Sequence, residues 1–96
     1  MSKISLGGIP VKIKYKELKD SEHNAFGRFS VTSNGYVIYI DKNLKGKIRK
    51  NVILHELVHC IFYHIGATDY DNELLIQSIT NSLQEVLSRL NIKNII

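Results

Sequence analysis

The chain has 96 residues, of which 44% are hydrophobic and 23% charged, and its formal net charge is +4. A chain this short forms one small domain, and this one is too apolar to be disordered. Its single cysteine, Cys60, cannot form an internal disulfide, so we expect a reducing compartment such as the cytoplasm. No apolar run approaches the roughly 20 residues that span a bilayer, so we expect no membrane partner. Residues 1–96 are therefore predicted to form one globular domain.

Three segments have patterns typical of strands. Residues 11–15 alternate apolar and basic side chains with a period of two. Residues 26–32 alternate again, after a polar cluster at residues 20–24. Asn34-Gly35 suits a tight turn, and residues 36–40 are rich in β-branched and aromatic side chains. We predict a three-stranded antiparallel sheet whose second and third strands form a hairpin.

Two helices are predicted after the strands. The first runs from about residue 48 to residue 65 and ends at Gly66, a residue type common just after a helix. The second begins after Asp71, a candidate N-cap, and runs to about Leu90 with an apolar stripe at helical spacing. Strands followed by helices indicate an α+β fold.

A run of cations lies where the third strand gives way to the first helix: Lys42, Lys45, Lys47, Arg49 and Lys50. Proteins that bind single-stranded nucleic acid place aromatic rings among such charges, and this run contains none. A solvated helix start is the better interpretation. We therefore do not expect nucleic acid as a partner.

The first helix carries the sequence His55-Glu56-Leu57-Val58-His59, a match to H-E-x-x-H. Four residues advance a helix by a little over one turn, so both imidazoles lie on one face and can bind one ion. Zinc prefers such nitrogen and carboxylate ligands, and a catalytic zinc site needs three of them plus an open position for water. Glu56 could then take a proton from the activated water and pass it to a leaving amine.

The third ligand has two candidates on the second helix, Glu73 and Gln77. Glu73 has the better charge, although an acid in the first turn of a helix also favours the helix dipole. Gln77 has the better predicted register with His59, but its amide oxygen is a neutral and weaker zinc ligand. The sequence leaves the two alternatives open.

Other reactive side chains are given structural roles. His64 lies on the opposite side of the helix from His55, and His23 is read as a solvated loop histidine. Cys60 is expected to be a small buried hydrophobe rather than a nucleophile or ligand. Tyr63 and Tyr70 could each point a phenol at an oxyanion, but structural tyrosines are the better prediction.

The chain resembles the short ImmA/IrrE-type metallopeptidases of bacteriophages and prophages. The resemblance covers most of the chain and rests on residues 39–44 (YIDKNL), residues 54–59 (LHELVH) and residues 77–81 (QSITN). It implies a minimal zincin, in which a small sheet packs on the helix that carries H-E-x-x-H. It also implies that His55 and His59 bind Zn²⁺ and that Glu56 is the catalytic glutamate.

The second helix of that family usually reads E-x-x-A-N, with its Glu as third zinc ligand. Gln77 stands at that position here, Thr80 replaces the alanine and Asn81 matches. The resemblance implies a zinc-dependent peptidase acting on a protein or peptide, in the host cytoplasm if the chain is phage-encoded. Gln77 favours an alternative, a non-catalytic interaction protein that inhibits or binds a host or phage regulatory protein.

Overall fold

The computed structural model describes residues 4–18 and 26–90. His23 and the polar cluster at residues 20–24 lie outside these ranges. The described chain is α+β, as predicted, and contains four strands followed by two helices: β1 (Ile4–Leu6), β2 (Ile9–Lys16), β3 (Gly27–Thr32), β4 (Gly35–Asp41), α1 (Gly46–His64) and α2 (Glu73–Arg89).

The four strands form one mixed sheet in the order β1-β2-β4-β3. β1 and β2 are antiparallel, β3 and β4 form the predicted hairpin, and β2 lies parallel to β4, with Val11 opposite Tyr36. The prediction of three antiparallel strands is therefore wrong. It missed β1, which has only three residues, and it did not place β4 between β2 and β3. Because β3 reverses the chain direction, β2 and β4 run the same way and pair in parallel.

The central position of β4 explains its burial. Tyr36, Ile38 and Ile40 face the helices and form the core cluster with Val11 and Cys60. Each fully buried aliphatic side chain of this kind contributes about 1.5–3 kcal/mol to folding. The most apolar strand of the sequence thus occupies one of the two interior positions of the sheet.

The helix ends follow local signals. Gly66 has a φ of +78°, and the amides of Gly66 and Ala67 donate to the carbonyls of Tyr63 and Phe62. This hydrogen-bond pattern is a Schellman motif, so the predicted end of α1 is confirmed. α2 begins at Glu73, and its N-cap is Asn72 rather than Asp71, since the Asn72 side chain accepts from the amide of Leu75.

The two helices run antiparallel, and α1 lies between the sheet and α2. Among the buried residues of α1 are Glu56, Val58, His59 and Cys60, whereas Ile61 and Tyr63 are partly exposed. α1 therefore buries ionisable as well as apolar side chains. Within the described part of the chain, neither helix is long and apolar enough to cross a membrane.

Candidate metal centre

α1 presents His55 and His59 one turn apart, and both face the carboxylate of Glu73. Nε2 of His55 lies 2.9 Å from Oε1 of Glu73, and Nε2 of His59 lies 3.1 Å from Oε2. The side chains of the two histidines are 16% and 10% exposed. One ligand atom from each of the three residues lies within 4.8 Å of the others, so the cluster could hold a metal ion.

Of the two candidates on α2, the structure brings Glu73 to the histidines. The amide nitrogen of Gln77 instead donates to Oδ1 of Asn81 at 2.8 Å. The sequence-based register placed Gln77 level with His59, on the assumption that the first turns of α2 cover the distance from the end of α1 back to His59. That assumption is wrong. The connection at residues 65–72 makes that return, since Tyr70 already lies beside His59. The first residue of α2 is therefore level with the histidine pair.

The second nitrogen of His59 has its own acceptor. Nδ1–H donates to the backbone carbonyl of Tyr70 at 2.6 Å, while Nε2 faces Glu73. A neutral imidazole has one N–H and cannot donate to two acceptors. A neutral His59 would therefore turn the lone pair of Nε2 towards a carboxylate, a conflict that either a second proton on the ring or a metal ion between the two groups removes. A metal ion shared by the three side chains removes this conflict, and the Tyr70 carbonyl orients the ring as ligating histidines require.

His55 differs from His59 in its surroundings. Its Nδ1 is buried and has no hydrogen-bond partner among the described residues. Its Nε2 faces Glu73, so the nitrogen through which His55 makes a polar contact points into the cluster. Two imidazole nitrogens and one carboxylate oxygen form the donor set of many catalytic zinc sites, which keep a fourth position open. The residues present therefore fit zinc.

Glu56 lies next to the cluster and is only 9% exposed. Burial raises the pKa of its carboxyl above the ordinary value of 4.5; the charge of Glu73 adds to the rise, and His59 and His55 oppose it. A general base that must also return its proton works best when its pKa lies closer to neutral pH. The environment of Glu56 shifts the pKa in that direction.

The cluster opens into a cleft of about 270 Å³ between the start of β3 and the two helices. Its lining includes His55, Glu56, Glu73 and Gln77, together with Phe26, Gly27, Asn51 and Val52. Gln77 is thus a wall of the cleft, one turn from Glu73. Of the five residues that the sequence singled out as ligands or base, four line this cleft, and the fifth, His59, is not part of its lining.

Gly27 is a functional position that the sequence analysis missed. A Cβ at this residue would lie 2.7 Å from Cγ1 of Val52 and 2.9 Å from Cγ of Glu56. Only glycine lets the β3 backbone approach α1 this closely, and the approach packs the strand against the aliphatic part of Glu56. The signal was present, because a glycine inside a strand pattern often marks a close backbone contact.

The remaining candidates lie elsewhere. His64 shares a hydrogen bond with the hydroxyl of Tyr36 at 2.9 Å, away from the cluster. Cys60 is fully buried, as predicted, and burial raises its thiol pKa to about 11. The rings of Tyr63 and Tyr70 pack edge to face with centroids 5.3 Å apart. Tyr70 reaches the site through its backbone carbonyl, not through a phenol.

Comparisons with protein-family models, curated proteins and solved structures return no match for this chain.

Proposed function

We propose that the chain is a zinc-dependent metallopeptidase of minimal zincin type that acts on a protein or peptide in the cytoplasm. The observation that carries the proposal is the position of His59, between the carbonyl of Tyr70 and the carboxylate of Glu73. Such an imidazole needs either a second proton or a metal ion at Nε2, and His55 and Glu73 complete a zinc donor set around that point.

Zinc bound there would supply a Lewis acid that polarises the scissile carbonyl and activates water. Glu56 takes the proton from the attacking water and delivers it to the leaving amine nitrogen. Burial raises the pKa of the Glu56 carboxyl in the metal-free chain, which makes this carboxylate a better proton acceptor. His55, His59 and Glu73 contribute ligands, and the Tyr70 carbonyl holds the His59 ring.

The cleft beside β3 gives the substrate a place to bind. β3 pairs with β4 on one side and is the terminal strand of the sheet. An extended peptide can add to such an edge as a further strand, with main-chain hydrogen bonds that do not depend on its sequence. Phe26 is exposed at the mouth of the cleft and offers an apolar contact for a substrate side chain.

The direct test is hydrolysis of an unfolded protein by the zinc-loaded chain and by two variants. We expect Glu56→Gln to bind zinc like the wild type and to cleave nothing, because an amide keeps the shape but accepts no proton. Glu85→Gln is the matched control, since Glu85 lies on the surface of α2 and pairs with Arg89. It should retain wild-type activity.

Two results would contradict the proposal. Activity that survives in Glu56→Gln removes Glu56 from the mechanism. A wild-type chain that binds zinc but cleaves no unfolded substrate favours the alternative of an interaction protein, to which the glutamine at position 77 also points.

A further inference from the structure

The face of the sheet that points away from the helices is cationic. Side chains alternate along β2, so Val11 and Ile13 face the core while Lys12, Lys14 and Lys16 point to the other side. Tyr39 of β4 lies opposite Lys14, and Arg28 of β3 lies opposite Tyr39 on its other side. The register of three strands thus gathers four cations around one ring. We call these five residues (Lys12, Lys14, Lys16, Arg28 and Tyr39) the outer basic face.

Two of the cations contact the ring directly. Nζ of Lys16 lies 4.6 Å from the centroid of Tyr39, and the guanidinium of Arg28 lies 5.8 Å from it. Within the described ranges, none of the four cations forms an ion pair with a carboxylate. Asp41, the acid on the same side of β4, is buried, and its Oδ1 accepts from the amide of Asn43. The positive charge of the outer basic face is therefore not neutralised by ion pairs with carboxylates of the described residues.

The spacing of the lysines is regular. Residues two apart on a strand lie about 6.6 Å apart on one face, so Lys12, Lys14 and Lys16 form a straight row of like charges. These charges repel one another in the free protein, and a polyanion laid along the row removes the repulsion. A cleft of about 200 Å³ lies beside the row and is lined by Lys12, Lys14 and Tyr39, with Thr32 and Asn34 at its rim.

We infer that the outer basic face binds single-stranded nucleic acid. Lys16 and Arg28, which lie over the ring in the free protein, turn with Lys12 and Lys14 towards successive phosphates, and the ring of Tyr39 that they uncover stacks against a base. Proteins that bind single strands without sequence preference use this combination. A duplex hides its bases from such a ring, and an acidic peptide offers a stacking partner only where it carries an aromatic side chain, whereas every nucleotide of a single strand carries a base. The site lies on the opposite side of the sheet from the metal centre, so both can be occupied at once.

The sequence alone predicts no nucleic-acid partner, because the run from Lys42 to Lys50 contains no aromatic ring. That run lies at the start of α1, away from the outer basic face, and its Arg49 lies over the ring of Tyr15 at 4.2 Å. The cations of the outer basic face are spread from residue 12 to residue 28, and strand pairing alone brings them to Tyr39. A scan for charge runs therefore does not detect them.

The test measures binding of fluorescein-labelled oligothymidine to the full chain by anisotropy over a range of salt concentrations. Contacts from three or four cations predict a log–log salt slope of roughly −2 to −3 for a single strand. The variant Lys12→Gln/Lys14→Gln/Lys16→Gln should bind at least about tenfold more weakly at low salt. Tyr39→Leu should bind about fivefold or more weakly, whereas Tyr39→Phe, which keeps the ring, should bind like the wild type.

The matched control is Lys45→Gln/Lys47→Gln/Lys50→Gln, which removes the same charge from exposed positions at the start of α1. An equal loss of affinity in both triple variants would show that net charge alone attracts the strand and would overturn the inference. So would absence of binding at low salt, equal affinity for polyglutamate, or a Tyr39→Leu variant that binds like the wild type. If the first triple variant does not fold, Lys14→Glu and Lys47→Glu replace the pair with the same expected contrast.

Discussion

Nδ1 of His59 lies 2.6 Å from the backbone carbonyl of Tyr70, which joins the metal centre to the connection between the two helices. This contact selects Nε2 as the free nitrogen of His59. The ring of Tyr70 packs on Tyr63, and Tyr63 packs on Phe29 of β3 at 5.5 Å between centroids. A chain of aromatic contacts therefore holds the carbonyl in place from the sheet.

Tyr70→Ala should weaken zinc binding although its side chain touches no ligand atom. Loss of the ring frees the carbonyl that orients His59, and outer contacts of this kind change metal affinity by roughly 10- to 100-fold. Tyr70→Phe keeps the packing on Tyr63 and should bind zinc like the wild type. Competition with a chromogenic chelator measures both. Unchanged affinity in Tyr70→Ala would show that the connection does not position His59.

Glu73 and Gln77 should differ sharply in their effect on zinc affinity. Glu73→Ala removes the carboxylate that faces both histidines and should weaken binding by an order of magnitude or more. Gln77→Ala, one turn away, removes an amide that bonds Asn81 and should change affinity little. The same chelator assay applies. If Gln77→Ala weakened zinc binding more than Glu73→Ala, the third ligand would be Gln77, the position that the family resemblance implies.

Gly27→Ala should disturb Glu56 while leaving the zinc ligands in place. The new methyl group overlaps Val52 and Glu56, and overpacking of this kind costs about 1–3 kcal/mol. We expect a Tm several degrees lower, unchanged zinc content and reduced hydrolysis. Ser30→Ala, on the opposite face of the same strand, is the control and should alter none of these quantities. If the variant were as stable and active as the wild type, β3 would be able to move away from α1 at no cost in free energy.

Cys60 should be unreactive in the folded chain. Its thiol is fully buried, and burial raises the pKa from the ordinary value of 9.0 to about 11. Between those values the unfolded chain releases this proton while the folded chain keeps it, so stability falls as pH rises through the window. Iodoacetamide should label Cys60 at pH 8 in guanidinium but not in buffer. Rapid labelling without denaturant would show that the core around β4 opens.

The sequence predicted those features that depend on neighbouring residues. The shared face of His55 and His59 follows from helix periodicity, and the end of α1 follows from Gly66. The features that were predicted wrongly or missed depend on contacts between residues far apart in the sequence. Choosing Glu73 over Gln77 needs the path of the connection between the helices, and the parallel pairing of β2 with β4 needs the strand order. Gly27 gains its role only once β3 packs on α1.

Whether His55, His59 and Glu73 hold a zinc ion is measured by elemental analysis of protein that is purified without chelator, given equimolar zinc and then desalted. We expect about one zinc ion per wild-type chain and far less in His59→Ala, because the three side chains form a single site. Under about a tenth of an ion per folded wild-type chain, or equal zinc in His59→Ala, would contradict this expectation.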